Sequence, residues 1–252
     1  MNEYILALER IQKRIGGIQV LSDITLSLRA GSIGAFIGPN GAGKTTIFNV
    51  LSGELAPDRG RVLFQGHNIT GIPSWRIANL GIGKVFQDIR VFLGLTVKEN
   101  VLAALHRNTD RCLVRAFTRR RSELYEVDEK AEAILEKVGL SKSRNHLAGT
   151  LSFGNLKLLA FARLIAGAFR FILLDEPVAG VFPETIAKIR ELIMELSSKG
   201  VSVLFIEHDI QFVRSLAEEV FVINQGTVFT HGSTRFVFDD PTVNELCLGL
   251  SA

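Results

Sequence analysis

The sequence predicts an α/β fold built on a mainly parallel sheet that is buried on both faces. Two segments with continuous apolar runs, FRFILLDEP and VSVLFIEHD, flank a helix-patterned stretch, PETIAKIRELIMELSSKG. Short apolar strands separated by helices are typical of such sheets. The chain has 252 residues, a length that suits one large domain or a core with a subdomain.

The first third of the chain has the pattern of β-strands. LALERIQ and ITLSLRAGSIGAFIG alternate or run apolar, with glycines as punctuation. RVLFQGHNITG predicts a further short strand and a turn. We therefore expect strands to precede the helical part of the chain.

The pattern becomes helical from Ser74 to about Gly167. The predicted helices contain PSWRIANLG, TVKENVLAALHR, SELYEVDEKAEAILEKVGL and LSFGNLKLLAFARLIAG. Thr96 and Glu99 have the spacing of a capping box, and Asp128 is predicted to start a helix similarly. The helix between the two apolar strands is expected to end at Gly200. The tail EVFVINQGTVFTHGS predicts a pair of strands, and a short helix follows near DPTVNELCLGL.

Composition and charge exclude several classes of protein. The chain is 47% hydrophobic and 22% charged, as globular proteins are, and its net charge of +3 is too small for a dedicated nucleic-acid binder. Cys112 and Cys247 lack zinc-site or disulfide-framework spacing, so reduced intracellular thiols are expected. The apolar run Leu156–Leu174 contains one lysine and two arginines, which excludes a spanning helix. The N-terminal MNEYILALERIQKR is too polar for a signal peptide.

A basic run, RAFTRRRSE, covers Arg115–Glu123. It is interpreted as a solvated loop, with contact to lipid headgroups beside a membrane partner as the alternative.

The strongest chemical signal is a glycine-rich loop that fits the pattern G-x-x-x-x-G-K-[ST]. It follows the predicted strand Ile33–Ile37 and precedes the helix TTIFNVLSG. Its glycines let backbone N–H groups point at phosphate oxygens, and the helix N-terminus adds a favourable dipole. Lys44 is expected to reach the β- and γ-phosphates, and the Thr45 hydroxyl to ligate Mg²⁺. The predicted nucleotide contacts are Gly38, Pro39, Asn40, Gly41, Ala42, Gly43, Lys44, Thr45 and Thr46.

Two carboxylates follow the first apolar strand. Asp175 is predicted at its carboxyl end, beside the phosphate loop, where it can support Mg²⁺ through water. Glu176 comes next and is expected to face the other way along a strand-like segment, as suits a general base for the attacking water. Acidic pairs after strands also serve as helix caps, but the preceding phosphate loop favours catalysis.

Two further polar residues are predicted at the same edge of the sheet. His208 follows the second apolar strand and is expected to hydrogen-bond the γ-phosphate or orient the water, whereas an isolated histidine is usually structural. Gln87 in GIGKVFQD ends a short predicted strand and is a candidate for contact with Mg²⁺ or water.

The stretch LSFGN, Leu151–Asn155, begins a long apolar helix. Ser152 provides a capping hydroxyl, and the N–H groups of Phe153, Gly154 and Asn155 lie at the positive end of the helix dipole. Gly154 is expected to let another surface approach closely. Since the chain already has one phosphate loop, this second anion site is inferred to serve the nucleotide of a second subunit.

In this order, these motifs resemble those of the ATP-binding subunits of ABC transporters. The resemblance covers nearly the whole chain. It is most specific to the branched-chain amino acid transporter ATPases and their amide and urea relatives. The stretches similar to that family are GPNGAGKTTIFNVLSG, ITGIPSWRIANLGIGKVFQDIRVFLGLTVKENV and IEHDIQFVRSLAEEVFVINQGTVFTHG. It implies a P-loop NTPase (RecA-like) core with an antiparallel β subdomain and an α-helical signature subdomain.

The resemblance also implies roles for individual residues. Gly38–Thr46 would bind the phosphates, with Thr45, Gln87 and Asp175 at Mg²⁺. Glu176 would be the catalytic base, His208 the γ-phosphate sensor, and Lys44 and Gln87 would complete the catalytic set. Ser152, Phe153, Gly154 and Asn155 would contact the ATP of the opposite subunit. The segment 87–100 would face a helix of the membrane subunit.

Three positions depart from the family pattern. Asn155 ends the signature where glutamine is usual, and Phe153 replaces a common glycine. Ile15, in KRIGG, occupies the position at which many relatives stack an aromatic residue on adenine, which would forgo about 0.5–1.5 kcal/mol of stacking. Phe182 stands where relatives have a polar residue that links the two ATP sites.

The expected protein is therefore an ATPase that uses ATP and Mg²⁺ and lies peripherally on the cytoplasmic side of the cell membrane. It would drive an importer of branched-chain amino acids, amides, urea or a similar solute. Its expected partners are a second ATPase subunit, identical or homologous, the membrane permease subunits and, indirectly, a solute-binding protein, with no nucleic acid. The alternatives are an exporter ATPase for lipid or lipopolysaccharide and a non-transport ABC ATPase. A P-loop kinase or GTPase would not need LSFGN.

The resemblance implies one ABC ATPase domain over residues 1–252. Residues 1–88 and 168–223 would form the nucleotide-binding core with the β subdomain. Residues 89–167 would form the helical subdomain with the signature, and 224–252 the C-terminal strands and helix.

Overall fold

The computed structural model of the protein describes residues 3–105 and 121–248. The strands are β1 (Tyr4–Ile15), β2 (Ile18–Arg29), β3 (Ile33–Ile37), β4 (Arg59–Phe64), β5 (His67–Asn68), β6 (Ile82–Val85), β7 (Phe171–Asp175), β8 (Ser202–Ile206), β9 (Glu219–Asn224) and β10 (Thr227–Ser233). The helices are α1 (Lys44–Leu51), α2 (Ser74–Leu80), α3 (Val97–Leu105), α4 (Arg121–Lys137), α5 (Phe153–Ala166), α6 (Pro183–Ser198), α7 (Ile210–Leu216), α8 (Thr234–Phe238) and α9 (Pro241–Leu248). Cys112 and the basic run at 115–120 lie outside the described residues, and so do the side chains of 121–123 and Cys247.

The chain divides into two compact units. The core unit comprises Met1–Lys84, Arg170–Pro177 and Ile193–Ala252, and the helical unit comprises Val85–Phe169 and Val178–Leu192. Residues 178–192 therefore group with the helical unit, whereas the sequence-based division assigned them to the nucleotide-binding core. Residues 178–192 comprise the loop after Glu176 and the first turns of α6. The residue pattern of such a segment does not show which neighbours it packs against.

A six-stranded sheet runs through the core in the order β10-β9-β3-β8-β7-β6. β9, β3, β8 and β7 pair in parallel, and β10 pairs antiparallel with β9. Every residue of β3, β7 and β8 is buried. The predicted parallel sheet with continuous apolar strands is therefore confirmed, as is the C-terminal strand pair.

A second, antiparallel sheet has the order β2-β1-β4-β5. Its apolar side chains join those of the parallel sheet in one cluster that includes Leu6, Ile24, Phe36 and Phe48. The rings of Phe36 and Phe48 are 5.7 Å apart, in the range of favourable aromatic contacts. This shared core holds α1, and with it the loop before α1, against both sheets.

The helical unit contains α3, α4, α5 and the beginning of α6. The predicted capping box is confirmed, since Thr96 N–H donates to Glu99 Oε2 at 2.8 Å and Glu99 N–H donates to Thr96 Oγ1 at 3.2 Å. The prediction for Asp128 is wrong, because this residue lies inside α4. Its carboxylate instead pairs with Lys98 at 2.8 Å.

The apolar run at 156–174 is divided between two elements. α5 ends at Ala166, and β7 begins at Phe171. Among the helices of the described residues, none is both long enough and apolar enough to cross a membrane.

Candidate functional site

The glycine-rich loop lies where β3 ends and α1 begins. Gly38 has φ +138°, and a Cβ atom there would lie 2.0 Å from the Ile223 carbonyl oxygen. Gly43 has φ +104°, and its Cβ atom would lie 2.8 Å from Leu21 Cδ2. Both positions therefore require glycine, and they allow the loop to curl tightly against β9 and β2.

Lys44 begins α1 and is buried within this loop. Its Nζ donates to the carbonyl oxygens of Gly38 at 2.7 Å and Pro39 at 2.8 Å. Thr45 is exposed and Thr46 half-buried in the first turn of α1. A curled backbone, a buried ammonium group and a helix N-terminus together make a site suited to anionic oxygens.

Asp175 is the last residue of β7 and is buried. Burial raises the pKa of Asp175 above its usual value, with repulsion from Glu176 and Glu54 in the same direction. Lys84 and Lys44 oppose this rise in pKa. Asp175 is therefore a carboxylate held in an environment that favours a cation beside it.

The backbone turns sharply at Glu176. This residue has φ 49°, in the left-handed region, and its N–H donates to Ile206 O at 3.0 Å. The prediction of a strand-like segment here is wrong, because β7 ends at Asp175 and the left-handed residue ends the strand. A non-glycine residue in this conformation is uncommon and is concentrated at functional sites.

His208 follows β8, which ends at Ile206. The parallel register pairs Asp175 with Ile206, so both strands deliver their following residues to one edge of the sheet. His208 Nε2 lies 3.5 Å from Glu176 Oε1, and the histidine side chain is 46% exposed. The His208 N–H donates to Glu207 Oε2 at 3.1 Å, which fixes the local backbone.

A cavity of about 380 Å³ joins these features. It is lined by Ile15, Ile18, Val20, Asn40, Gly41, Ala42, Gly43, Lys44, Thr45, Thr46, Glu176, Ile206 and His208. The volume and the mixture of aliphatic and polar walls suit a small-molecule ligand. The lining residues do not include Gly38, Pro39 or Asp175. The carbonyl oxygens of Gly38 and Pro39 accept hydrogen bonds from Lys44, which does line the cavity.

Sequence reasoning missed Ile18, Val20 and Ile206 in this cavity. Ile18 is 71% exposed and starts β2 directly after the Gly16–Gly17 turn. The sequence signal that could have found Ile18 was an isoleucine directly after a glycine turn and close in sequence to Ile15.

Gln87 belongs to the helical unit, in the segment after β6, where it is exposed. Its role at Mg²⁺ stays a prediction.

The signature stretch also belongs to the helical unit. Ser152 caps α5, as predicted, by accepting the Asn155 N–H at 3.3 Å. That N–H group is therefore occupied within the chain. Gly154 faces Thr185, whose Oγ1 would lie 3.2 Å from an added Cβ atom. The small size of Gly154 thus suits an internal contact, and its role toward another surface stays a prediction.

Phe153 and Phe182 present exposed rings in the helical unit, at 50% and 80%. Lys157 lies over the Phe153 ring, 5.4 Å from its centroid, and donates to Ala179 O at 2.8 Å. The start of α5 is thereby tied to the loop that precedes α6.

Comparison with known proteins agrees with this geometry. The sequence model of the ABC transporter family matches residues 21–179. The high-affinity branched-chain amino acid transport ATP-binding protein BraF of Pseudomonas aeruginosa is 37% identical over 254 residues, 99% of both chains. The corresponding protein LivG of Escherichia coli is 34% identical over 256 residues, again 99% of both chains.

Solved structures are similar to this chain over more than nine-tenths of its length. The ADP conformation of an ATP-binding cassette of an ABC transporter has a TM-score of 0.83 and 32% identity, covering 98% of this chain and 99% of that one. A dimeric ATP-binding cassette in a post-hydrolysis state, bound to ADP and Pi, has a TM-score of 0.79 and 25% identity over 91% of this chain and 99% of that one. The family match over more than half of the sequence and the full-length relatives show that the chain belongs to the ATP-binding proteins of ABC transporters.

Proposed function

We propose that this protein is the ATP-binding and ATP-hydrolysing subunit of an importer for branched-chain amino acids or a related solute such as an amide or urea. The observation that carries the proposal is the cavity that joins the phosphate loop to Glu176 and His208. The solute class is supported by the names of the relatives, which are branched-chain amino acid transport ATP-binding proteins.

The phosphate loop fits the triphosphate of ATP. The loop's glycines allow backbone N–H groups to turn toward phosphate oxygens, and the N-terminus of α1 adds its dipole. Lys44 Nζ already lies inside the loop, on the Gly38 and Pro39 carbonyl oxygens. When phosphate oxygens enter, this ammonium group is placed to neutralise the charge of the β- and γ-phosphates.

The residues present also fit Mg²⁺. The Thr45 hydroxyl and Asp175 would hold it, because a cation beside the buried Asp175 would stabilise the ionised form of a carboxyl whose pKa burial raises. Among residues 3–105 and 121–248 no group of three or more acidic, histidine or cysteine side chains could hold a metal alone. This suits Mg²⁺, which takes most ligands from phosphate and water. When bound, the ion would neutralise charge on the phosphate oxygens.

Glu176 and His208 would act on the attacking water. As the water oxygen bonds to the γ-phosphorus, Glu176 would accept the water proton while the bond from phosphorus to the ADP oxygen breaks. His208, 3.5 Å from Glu176, would orient the water or donate to the γ-phosphate. We retain Gln87 as a proposed contact of Mg²⁺ or of the water.

A second ATP-binding subunit, either a copy or a homologue, would complete each site. Leu151–Asn155 would contact the phosphates bound by the other subunit, through the capped start of α5. The dimeric cassette with ADP and Pi supports such an arrangement in the family.

An exposed apolar patch on the helical unit suits a membrane partner. Its members are Phe92, Leu93, Leu95 and Leu147, exposed by 50%, 56%, 37% and 50%. Two backbone hydrogen bonds join its segments, from Ala148 N–H to Leu95 O at 2.9 Å and from Gly149 N–H to Leu93 O at 3.0 Å. Contiguous exposed apolar surface marks interaction sites. The permease subunits would dock here, from the cytoplasmic side of the membrane, and the solute-binding protein would act on them from the opposite side.

The proposal is tested by reconstituting the chain with its membrane subunits and solute-binding protein in vesicles. ATP supplied on the side of this subunit should drive uptake of radiolabelled leucine, and Glu176→Gln should abolish uptake. Glu245→Gln, an exposed carboxylate in α9, is the matched control and should leave uptake unchanged. Uptake that persists in Glu176→Gln, or that does not require ATP, would contradict the proposal. Urea and acetamide in place of leucine distinguish the solute classes.

A further inference from the structure

The antiparallel sheet carries a β-bulge at Arg10. Between Glu9 and Gln12, β1 advances three residues while its partner β4 advances two, from Arg61 to Arg59. The register of β1 toward β2 shifts in the same region. β1 therefore holds one extra residue here, and bulges of this kind change the direction of side chains.

The backbone of the bulge is fixed by specific residues. Arg10 has φ 50°, and its N–H donates to Thr25 Oγ1 at 3.0 Å. Gly60 on β4 has φ +93°, and a Cβ atom there would lie 2.5 Å from the carbonyl oxygens of Glu9 and Arg10. The close approach of β1 thus requires glycine at position 60, and the bulge is held in place rather than frayed.

The bulge borders a cavity of about 290 Å³. Its lining residues, which we call the arginine pocket, are Glu9, Arg10, Gln12, Arg59, Gly60 and Arg61. None of them lines the nucleotide cavity. Arg59 and Arg61 alternate along β4, so both side chains are on the same face of the sheet.

The arginine pocket has an excess of positive charge. Arg61 pairs with Glu9 at 2.8 Å, the one carboxylate among the lining residues. Within residues 3–105 and 121–248, neither Arg10 nor Arg59 forms an ion pair. The side chains of Arg10 and Arg59 are therefore available to a ligand, and Gln12 lines the same pocket.

We propose that the arginine pocket binds a phosphate monoester, either a free phosphorylated metabolite or a phosphate headgroup of a lipid. Guanidinium groups match phosphate oxygens through paired hydrogen bonds, and two of them match the charge of a dianion. The volume suits a small ligand. The arginine pocket is distinct from the nucleotide cavity, because the two share no lining residue.

The test measures binding of sn-glycerol 3-phosphate to the full chain by isothermal titration. The Glu176→Gln background with saturating ATP keeps the phosphate loop occupied, so binding there does not interfere. We expect saturable binding that weakens about tenfold or more in Arg10→Gln/Arg59→Gln, since each loses a charge-assisted contact. Arg76→Gln/Arg235→Gln removes the same charge from exposed positions elsewhere in the core unit and should not change the affinity.

Vesicles of phosphatidylcholine, with and without phosphatidic acid, distinguish the two sources. Sedimentation with phosphatidic acid that depends on Arg10 and Arg59 identifies a lipid headgroup, and binding of glycerol phosphate alone identifies a free metabolite. The proposal is overturned if neither probe binds saturably, or if the control pair weakens binding as much as the pocket pair. Arg59→Gln alone repeats the test without altering the bulge.

Discussion

His208 Nε2 lies 3.5 Å from Glu176 Oε1, at the edge of the sheet where β7 and β8 end side by side. The two side chains line the same cavity as Lys44, so a base and a hydrogen-bonding imidazole face the phosphate loop. This contact leads to the first prediction.

His208→Ala should lower kcat for ATP hydrolysis by about 10²-fold while changing KM little, because the proposed role of the imidazole is to act on the water and the transferred phosphoryl group. Phosphate release measured over a range of ATP concentrations separates the two constants. His67→Ala, at an exposed position on β5, provides the control. Equal activity in His208→Ala and wild type would remove His208 from the reaction.

Gly38→Ala should destabilise the protein by roughly 3 kcal/mol, because its Cβ atom would lie 2.0 Å from the Ile223 carbonyl oxygen. Gly41→Ala in the same loop is the matched variant. Its φ of +78° is also positive, but nothing lies within 4 Å of an added Cβ atom. It should therefore cost only about 1 kcal/mol. Urea unfolding of both variants measures the difference, and similar midpoints would mean that the loop is not packed as described.

Asp175→Asn should stabilise the nucleotide-free protein at neutral pH. Burial holds the folded-state pKa of Asp175 above its ordinary 3.8, so ionisation opposes folding. This penalty is absent below the unfolded-state pKa, where the carboxyl is protonated in both states. It grows to its full size as pH rises through the folded-state pKa. The stability gain of the variant should therefore vanish as pH falls below 3.8.

Denaturant unfolding of Asp175→Asn across this pH range is the measurement. Asp239→Asn is the control, since the Asp239 carboxylate is 70% exposed. A variant that is less stable than wild type at neutral pH would show that Asp175 is not held in the unfavourable environment described. Hydrolysis should be lost in the same variant, because Mg²⁺ loses a supporting carboxylate.

Glu176→Gln should associate with a second ATP-binding subunit when MgATP is added, and Ser152→Arg should prevent this. Light scattering after size exclusion measures the mass of the chain alone and with the ATP-binding homologue that co-purifies with the membrane subunits. Ser152→Ala is the control, because it removes only the cap of α5, which is worth about 1 kcal/mol. An ATP-dependent complex unaffected by Ser152→Arg would exclude the signature stretch from the shared site.

Much of the fold and of the nucleotide site was predictable from local sequence. The phosphate loop lies between β3 and α1 as expected, because G-x-x-x-x-G-K-[ST] supplies glycines where the turn requires positive φ. β7 and β8 were evident as continuous apolar runs, since both faces of a parallel sheet are buried. The capping box at Thr96 and Glu99 depends on residues three apart, and such local hydrogen bonds are readable from spacing.

The sequence-based predictions were wrong where contacts between residues distant in sequence determine the local structure. Asp128 is a residue type that often caps helices, but it lies inside α4. There its carboxylate pairs with Lys98 on another helix. Glu176 adopts a left-handed conformation that no residue preference indicates, and its N–H is held by Ile206 O on the neighbouring strand.

The central claim is that the cavity at the ends of β3, β7 and β8 binds ATP and that Glu176 enables its hydrolysis. Single-turnover experiments with radiolabelled ATP, comparing wild type with Glu176→Gln, test this most directly. We predict that both bind ATP with similar affinity, and that Glu176→Gln retains it unhydrolysed with a rate at least about 10²-fold lower. Equal hydrolysis rates in the two proteins, or failure of both to bind ATP, would contradict the claim.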